Sequence, residues 1–232
     1  MSELLVTKDL TKKYGSKLAL NNVNLSIERG HIIGLLGPNG SGKTTFIKIL
    51  NGLLTPSSGE ILVNGERVGV NSKKVISYLP DVNYLNMGSK VSELIKMFKL
   101  FYEDFDVDKA YSLLEKLNIN PGDSLKSMSK GTKEKVQLIL VMSRNADIYV
   151  LDEPIAGVDP AAREYILNLI ISNYNPESTV IISTHLIADI EKILDQVIFL
   201  KNGVVERFSS VEEIREKESQ SVDALFREVY KC

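Results

Sequence analysis

Apolar positions in the first part of the chain predict strands. Between residues 4 and 27 they come in short runs broken at 14–16 and 21–22, which predicts short antiparallel strands joined by turns. Residues 31–36 form an apolar run that ends in a glycine-rich turn, and residues 44–50 then have helical spacing. This stretch therefore predicts a strand, a loop and a helix in that order.

The rest of the chain changes from a helical to an alternating pattern. Helical spacing dominates between residues 91 and 142, and short apolar runs alternate with helical segments between 148 and 200. Such alternation is typical of a parallel sheet covered by helices on both faces. The predicted strands are 60–63, 75–79, 148–151, 179–182 and 196–200, and the predicted helices are 91–98, 107–117, 131–142, 160–172 and 186–194, with one or two polar helices in 211–230.

We therefore predict an α/β fold with a parallel-sheet core, an antiparallel β subdomain and an inserted α-helical subdomain. One domain would span residues 1–208, with the helical subdomain inserted at about 82–143, and a helical tail would follow at 209–232. A chain of 232 residues is long enough for one such domain, and two independent domains would be a tight fit.

The charge balance and the cysteine content exclude several classes of protein. The chain has 28 Lys and Arg against 30 Asp and Glu, with the basic residues scattered, which argues against nucleic acid as the main partner. No run of about 18 apolar residues occurs and the first residues lack the layout of a signal peptide, so we expect neither a membrane span nor secretion. Because the single cysteine is Cys232, an internal disulfide or a thiolate metal site is excluded.

Residues 37–44, Gly-Pro-Asn-Gly-Ser-Gly-Lys-Thr, fit the phosphate-binding pattern G-x-x-x-x-G-K-[ST]. They follow a predicted strand and precede a predicted helix, which is the context that this loop requires. Glycines let backbone N–H groups converge on the β- and γ-phosphates at the positive end of a helix dipole. Lys43 would add a positive charge, and the Thr44 hydroxyl would bind Mg²⁺. The alternative is a glycine-rich turn that binds nothing.

Two candidate carboxylates, Asp152 and Glu153, end the predicted strand at 148–151. Beside a phosphate-binding loop, Asp152 would hold Mg²⁺ through water, and Glu153 would polarise the attacking water as a general base. Alone, a strand that ends in two acidic residues is often only the start of a solvated turn. Together with the loop, the pair predicts a nucleotidase.

Four stretches in this order, GPNGSGKTT, MSKGTKEK, YVLDEPIAGVDP and STH, resemble the motifs of ATP-binding-cassette (ABC) transporter subunits over about residues 3–208. The resemblance implies a P-loop NTPase fold of the RecA-like kind that binds ATP and Mg²⁺. It also implies an ATPase that drives transport through a separate integral membrane permease. Two ATP molecules would close two cassettes head to tail, and hydrolysis would reopen them. The second cassette would be another copy or a related ABC ATPase, and both would lie in the cytoplasm at the inner face of the cell membrane.

The resemblance also implies roles for single residues. Ser129 and Gly131 match the signature stretch usually written LSGGQ, which in the family closes over the γ-phosphate bound to the other subunit. His185 matches the switch histidine that contacts this phosphate, and Tyr14 matches the aromatic residue that stacks on adenine. Residues 157–160 match the segment that crosses the family's dimer interface. The implied nucleotide contacts are Tyr14, Gly37, Pro38, Asn39, Gly40, Ser41, Gly42, Lys43, Thr44, Thr45, Ser129 and Gly131; the implied catalytic residues are Lys43, Glu153 and His185; and the implied metal ligands are Thr44, Asp81 and Asp152.

Three of these positions have plainer alternatives that the sequence leaves open. Ser129 fits an ordinary helix N-cap, and Tyr14 could serve only in packing. Residues 157–160 fit an aspartate N-cap followed by a proline that opens a helix.

Asp81 departs from the family pattern. Most members carry glutamine after the strand that ends Tyr-x-Pro, and this chain has Tyr78-Leu79-Pro80-Asp81. A carboxylate can bind a metal ion but cannot donate a hydrogen bond as an amide does. Some bacterial export-type members look similar here, with a Pro-Asp pair and a following Tyr-Leu like Tyr84-Leu85. The departure therefore favours an exporter.

Two other functions fit part of the sequence. A cassette ATPase that acts on ribosomes or in DNA maintenance would usually carry a second cassette or a long coiled coil, and this chain has neither. A small-molecule kinase or a GTPase would share the phosphate loop without the signature stretch, and the Asn-Lys-x-Asp motif of GTPases does not occur. The transported substrate does not follow from this sequence, because the permease selects it.

Overall fold

The computed structural model describes residues 3–230, except for the side chain of Ala161. These residues contain ten strands in two sheets and nine α-helices. The strands are β1 (Glu3–Tyr14), β2 (Lys17–Glu28), β3 (Ile32–Leu36), β4 (Ser58–Val63), β5 (Glu66–Arg67), β6 (Ile76–Leu79), β7 (Ile148–Asp152), β8 (Thr179–Thr184), β9 (Gln196–Lys201) and β10 (Val204–Ser210). The helices are α1 (Lys43–Leu50), α2 (Val70–Val75), α3 (Val91–Phe101), α4 (Val107–Lys116), α5 (Lys130–Met142), α6 (Pro160–Asn173), α7 (Ile187–Ile190), α8 (Val211–Glu218) and α9 (Val222–Val229). Cys232 lies outside the described residues.

The larger sheet has the strand order β10-β9-β3-β8-β7-β6. Strands β9, β3, β8, β7 and β6 run parallel, and β10 pairs antiparallel with β9 at the edge. β3, β7 and β8 are buried along their whole length, as expected for strands covered on both faces. Because the carboxyl ends of parallel strands share one edge of a sheet, the segments that follow β3, β6, β7 and β8 are neighbours there.

The smaller sheet, with the order β2-β1-β4-β5, is antiparallel, but its first two strands are longer than the sequence pattern predicts. The predicted turn at 21–22 lies inside β2, where Asn22 has a φ of 49°. The Asn22 N–H donates to Thr11 Oγ1 at 3.0 Å, and the Thr11 hydroxyl lies 3.1 Å from the Asn22 side-chain oxygen. Because these side chains satisfy the backbone at an irregular point of the ladder, the strand continues through it. The prediction of a turn at 21–22 is therefore wrong.

The three predicted helices of the insertion are present as α3, α4 and α5, and they share a hydrophobic cluster of their own. α5 joins this cluster to the core under the parallel sheet: Val136 belongs to the helical cluster and Leu138 to the sheet cluster. Residues Val136 to Met142 are all buried, as expected for a helix segment that is apolar on nearly every side. The division at about 82–143 into a separate subdomain stays a prediction.

The sequence pattern misses three elements, α2, β10 and the two-residue strand β5, and it misjudges one. α2 was not predicted and occupies the residues before β6, so this strand begins at Ile76 and not at residue 75. β10 is an exposed edge strand, and the predicted domain boundary at 208 falls inside it. The helix predicted near 186–194 is only one turn, α7, followed by a 3₁₀ turn at Glu191–Ile193. Among the described residues, no helix combines the length and the apolar character that a membrane crossing needs.

Arg144, which follows α5, fastens the helical insertion to the parallel sheet. Its side chain is 2% exposed, and it pairs with Asp104 of the insertion at 3.0 Å. The same guanidinium donates to the carbonyl oxygen of Ile76 at 2.5 Å and lies 3.9 Å from the centre of the Tyr102 ring. The contacts fix the start of β6, the strand that leads to Asp81, against the insertion.

Replacing Arg144 by methionine should lower the free energy of unfolding by about 3 kcal/mol, because Asp104 and the backbone acceptors lose their buried donor. Urea denaturation followed by circular dichroism measures this loss. The matched control is Arg67→Met, since Arg67 is 81% exposed and its ion pair with Glu60 should be worth less than about 1 kcal/mol. Equal losses in the two variants would contradict the fastening role of Arg144.

Candidate functional site

The carboxyl edge of the parallel sheet surrounds a cavity of about 360 Å³. The phosphate loop after β3, Asp81 after β6 and the end of β7 all contribute to its wall, and Tyr14 at the end of β1 closes one side. The lining residues are Tyr14, Lys17, Ala19, Asn39, Gly40, Gly42, Lys43, Thr44, Thr45, Asp81, Asp152 and Glu153. The fold thus brings most of the residues selected from the sequence into one place.

The backbone of the phosphate loop requires glycine at two positions of different kinds. Gly42 has a φ of 114°, and a Cβ there would lie 2.5 Å from the carbonyl oxygen of Ala19. Gly40 has a φ of 79°, yet a Cβ there would meet no atom within 4 Å. Gly42 therefore permits the loop to pack on β2, and Gly40 leaves open space on the cavity side where a ligand can approach the backbone.

Lys43 begins α1 and points back into the loop. Its Nζ donates to the carbonyl oxygens of Gly37 at 2.7 Å and Pro38 at 3.3 Å, and the residue is 7% exposed. Burial lowers the pKa of the Lys43 ammonium from its usual value, while the nearby Glu153 and Asp152 carboxylates act in the opposite direction. Gly37 and Pro38 therefore do not line the cavity themselves but hold the lysine that does. Ser41 is buried within the loop.

Asp152 is a buried carboxylate at the end of β7. Its Oδ1 accepts a short hydrogen bond from the Ser183 hydroxyl on β8, and its Oδ2 has no hydrogen-bond partner among the described residues. Burial raises the pKa of Asp152, the hydrogen bond from Ser183 lowers it, and the negative charge of Asp81 raises it further. A buried oxygen without a partner is costly unless a ligand or ion completes it. The sequence alone led to no predicted role for Ser183. Its position near the end of β8, two residues before His185, is the feature that could have indicated one.

Glu153 adopts an uncommon backbone conformation and contacts His185. Its φ is 52°, a region that costs a non-glycine residue on the order of 1–3 kcal/mol and is concentrated at functional sites. The Glu153 N–H donates to the carbonyl oxygen of Ser183 at 2.9 Å, which holds the turn. His185 Nδ1 lies 3.1 Å from Glu153 Oε2, so a proton on this nitrogen would be donated to the carboxylate. This pairing holds His185 against Glu153, which lines the cavity together with Lys43, although His185 itself is not among the lining residues.

The metal ligands selected from the sequence, Thr44, Asp81 and Asp152, line the same cavity. Within residues 3–230 no group of three or more His, Cys, Asp or Glu side chains is close enough to form a preformed metal site. Mg²⁺ ordinarily takes one or two carboxylates and completes its shell with water and substrate phosphates. The unpartnered Oδ2 of Asp152, with Thr44 in the wall of the same cavity, fits that mode of binding.

Tyr14 presents a half-exposed ring at the rim of the cavity, with 49% of its surface accessible. The Lys12 ammonium lies 5.4 Å from the ring centre and donates to the carbonyl oxygen of Thr55 at 2.7 Å, which fixes one side of the ring. The free face can accept a planar base by stacking. Lys17 lines the cavity next to it, and no motif in the sequence marked this lysine.

Ser129 and Gly131 are not part of the wall of this cavity. Ser129 caps α5, its Oγ accepting the N–H of Thr132 at 3.2 Å, so the plainer interpretation of this residue is observed. Asp159 likewise caps α6 through the N–H of Ala162 at 3.0 Å. Gly131 lies in the first turn of α5, and a Cβ there would meet nothing within 4 Å. A second cavity, of about 540 Å³, separates this turn from Asp152 and Glu153.

The sequence of this chain is similar to those of known proteins of one family. Residues 20–156 match the family model described as ABC transporter. The chain is 33% identical over 222 residues to an uncharacterized ABC transporter ATP-binding protein of Methanocaldococcus jannaschii. The aligned region covers 94% of this chain and 81% of that protein. It is 30% identical over 207 residues to the SkfA peptide export ATP-binding protein SkfE of Bacillus subtilis, with 87% of each chain covered.

A solved structure of the ATP binding subunit of an ABC transporter superposes on the chain with a TM-score of 0.89 at 28% identity. The superposition covers 98% of this chain and 100% of that one. It confirms the predicted α/β fold of the P-loop NTPase kind, with its antiparallel sheet and its helices.

Proposed function

The chain belongs to the ABC transporter family as one of its ATP-binding subunits, and from this premise we propose that it hydrolyses ATP between two copies and thereby drives export through a separate membrane permease. Family membership supports ATP binding and hydrolysis as the general activity. The pairing of two copies, the catalytic residues and the direction of transport are the finer parts of the proposal.

One observation carries the pairing. The cavity contains the phosphate loop and both carboxylates, but Ser129 and Gly131 lie outside its wall. Glycine in a helix costs about 1 kcal/mol relative to alanine, and nothing within the described chain occupies the space beside Gly131. An exposed helix N-terminus with bare backbone is suited to an anion that arrives from outside. We infer that the anion is the γ-phosphate bound by a second copy.

The chemistry assigned to the chain's residues is acid–base and electrostatic. Glu153 accepts a proton from water as the water oxygen bonds to the γ-phosphorus; the bond from that phosphorus to the bridging oxygen breaks, and ADP leaves with the electron pair. His185 holds the Glu153 carboxylate through Nδ1. Lys43 exchanges the Gly37 and Pro38 carbonyls for phosphate oxygens. Bound Mg²⁺, held by Thr44 and Asp152, would neutralise charge on the phosphates.

Gly131→Asp tests the pairing. An aspartate at this position would repel an incoming phosphate. The fold of the single chain should tolerate it, because a negative charge in the first turn of a helix is compatible with the helix dipole. We expect ATP-driven self-association to be lost, while the single chain still binds a fluorescent ATP analogue with parental affinity. Sedimentation velocity and fluorescence titration give the two readings. The control is Gly122→Asp, at an exposed glycine elsewhere in the insertion; a similar loss there, or none at Gly131, would count against the pairing.

A groove of about 610 Å³ between the helical insertion and the sheet supports a permease partner. Its walls are aromatic, with Tyr84 and Tyr102 among them, and Lys48 and Lys73 lie at its rim. Asp81 lines this groove and also both cavities near the nucleotide site. The occupant that fits is a short permease segment with apolar side chains and an acidic residue facing the lysines. Movement of such a segment would act on the loop that contains Asp81.

Tyr84→Ala tests the groove. Truncating a buried interface tyrosine typically costs about 2 kcal/mol or more, which is about 30-fold in affinity. We expect recovery of the chain with membranes that contain its co-encoded permease to fall accordingly, while ATP turnover of the isolated chain is unchanged. Tyr111→Ala is the control, because Tyr111 is similarly exposed but lies on α4 outside the groove. Undiminished recovery of the Tyr84 variant would exclude this docking site.

Export is favoured over import by two observations. The relative SkfE is described as a peptide export protein, and Asp81 stands where most family members have glutamine. With a permease as partner, the chain would work at the inner face of the cell membrane. A permease-free cassette or a kinase would leave the aromatic groove without an occupant.

A further inference from the structure

One guanidinium group joins two segments that leave the nucleotide site. The Arg163 side chain, in the first turn of α6, donates from Nε to the carbonyl oxygen of Val158 at 2.9 Å. It also donates from Nη1 to Asp189 Oδ2 on α7 at 2.8 Å. Val158 follows Glu153 by five residues, and Asp189 follows His185 by four. Arg163 therefore binds both chain segments that continue from the contact between Glu153 and His185.

Hydrogen-bonded turns lie between the Arg163 contacts and the two catalytic residues. The Ala156 N–H donates to the carbonyl oxygen of Glu153 at 3.1 Å. The Asp189 N–H donates to the carbonyl oxygen of Leu186, the residue after His185, at 3.3 Å. Such turns restrict the backbone on both sides. A displacement of either guanidinium contact is therefore transmitted to the site.

The contact between Glu153 and His185 needs support from outside. The φ of Glu153 is 52°, a conformation that persists only where the surrounding structure imposes it. The His185 side chain is 55% exposed, so packing alone does not fix its ring. The Arg163 side chain is 24% exposed, and its rigid planar fork makes two directed bonds at a small loss of freedom. Arg163 is therefore suited to supply this support.

We propose that Arg163 and its partner Asp189 position the two catalytic side chains for hydrolysis. The inference rests on the proposed function, because it takes Glu153 as the base. Arg163 is not among the residues that line the nucleotide cavity, so it is a positioning residue that acts through the segments it joins. A catalytic group misplaced by about 1 Å can cost about 100-fold in rate. Loss of Arg163 should therefore lower turnover without changing nucleotide affinity.

The first test is a double-mutant cycle on ATP turnover. Arg163→Met removes both contacts, and Asp189→Asn removes the ion pair. We expect each change to lower kcat about tenfold to 100-fold at an unchanged KM, and the double variant to lose no more than Arg163→Met alone. Arg163→Lys keeps the charge but lacks the planar fork, so it should recover only part of the loss. The control cycle, Arg227→Met with Asp223→Asn, removes an ion pair of the same 2.8 Å length and should leave turnover parental.

The second test observes the arrangement of the site without turnover. The chain has two histidines, His31 and His185, so their ring signals in an NMR spectrum can be assigned by substitution. His31 precedes β3, at the opposite edge of the parallel sheet, and serves as the internal reference. We expect Arg163→Met to move the His185 signal toward its position in Glu153→Ala, which lacks the contact. The His31 signal and the affinity for a fluorescent ATP analogue should stay parental, which shows that the variant is folded.

Parental kcat in the Arg163→Met and Asp189→Asn variants, or an unmoved His185 signal in Arg163→Met, would overturn this inference and leave the proposed function intact. Full turnover in Arg163→Lys would also overturn it, because charge alone would then suffice. So would an equal loss in the control cycle. If Glu153→Gln turns over ATP at the parental rate, the proposed base fails and the inference fails with it.

Discussion

Replacing Glu153 by glutamine should reduce ATP turnover by about 100-fold to 10,000-fold while leaving ATP binding intact. Glutamine has the shape of glutamate but cannot accept the proton from the attacking water. The phosphate loop and its lysine are untouched, so ATP stays bound and the paired state accumulates. Because both side chains must tolerate the same φ of 52°, the backbone strain at this position does not differ between the two proteins.

Phosphate release measures the turnover of this variant, and sedimentation velocity in ATP and Mg²⁺ measures its pairing. Glu115→Gln serves as the matched control, since Glu115 is an exposed glutamate on α4. It should turn over ATP at the parental rate and pair only transiently. Parental turnover in the Glu153 variant would exclude this residue as the base.

Lys43→Ala should lower turnover by about 100-fold or more, the range seen when one preorganised donor to a developing charge is removed. The Lys43 ammonium is held by two loop carbonyls in a buried position, so it is ready to move onto phosphate oxygens without ordering a flexible chain. Its loss leaves the Gly37 carbonyl without a buried donor and the phosphates without a cation. Nucleotide affinity should therefore fall together with turnover.

Fluorescence titration with an ATP analogue separates the loss of affinity from the loss of turnover. Lys48→Ala is the comparison, because Lys48 lies on the same helix α1 but is exposed on the side of the groove. Binding and turnover of the isolated Lys48 variant should be parental. An equal effect at both lysines would mean that α1, and not the Lys43 charge, is what the substitution disturbs.

Local sequence predicted most of the site because its residues follow strands of one parallel sheet. The glycine-rich loop and the Asp152-Glu153 pair can each be recognised from a few consecutive residues, and the topology then brings the strand ends together. The helical insertion was also predictable, since α3, α4 and α5 bury enough apolar surface to show a helical period.

Features that depend on distant partners could not be predicted. The irregular point of β2 at Asn22 depends on the Thr11 hydroxyl of the neighbouring strand. Without that partner in view, the pair Asn21-Asn22 resembles a turn in the sequence. Ser183 orients Asp152 across 31 positions, and Arg144 is fixed by Asp104 and by the Ile76 carbonyl. α2 is too short to show a period, and β10 is an exposed edge strand whose apolar residues are few.

The most direct measurement of the head-to-tail site mixes two inactive variants. Lys43→Ala has a defective phosphate loop and an intact first turn of α5, the turn that contains Gly131, and Gly131→Asp has the reverse. In a mixed pair, one of the two sites combines the intact loop of one copy with the intact turn of the other. Mixing the purified proteins should therefore restore ATP turnover well above the sum of the separate activities. Turnover of the mixture equal to that sum would contradict a site shared between two copies.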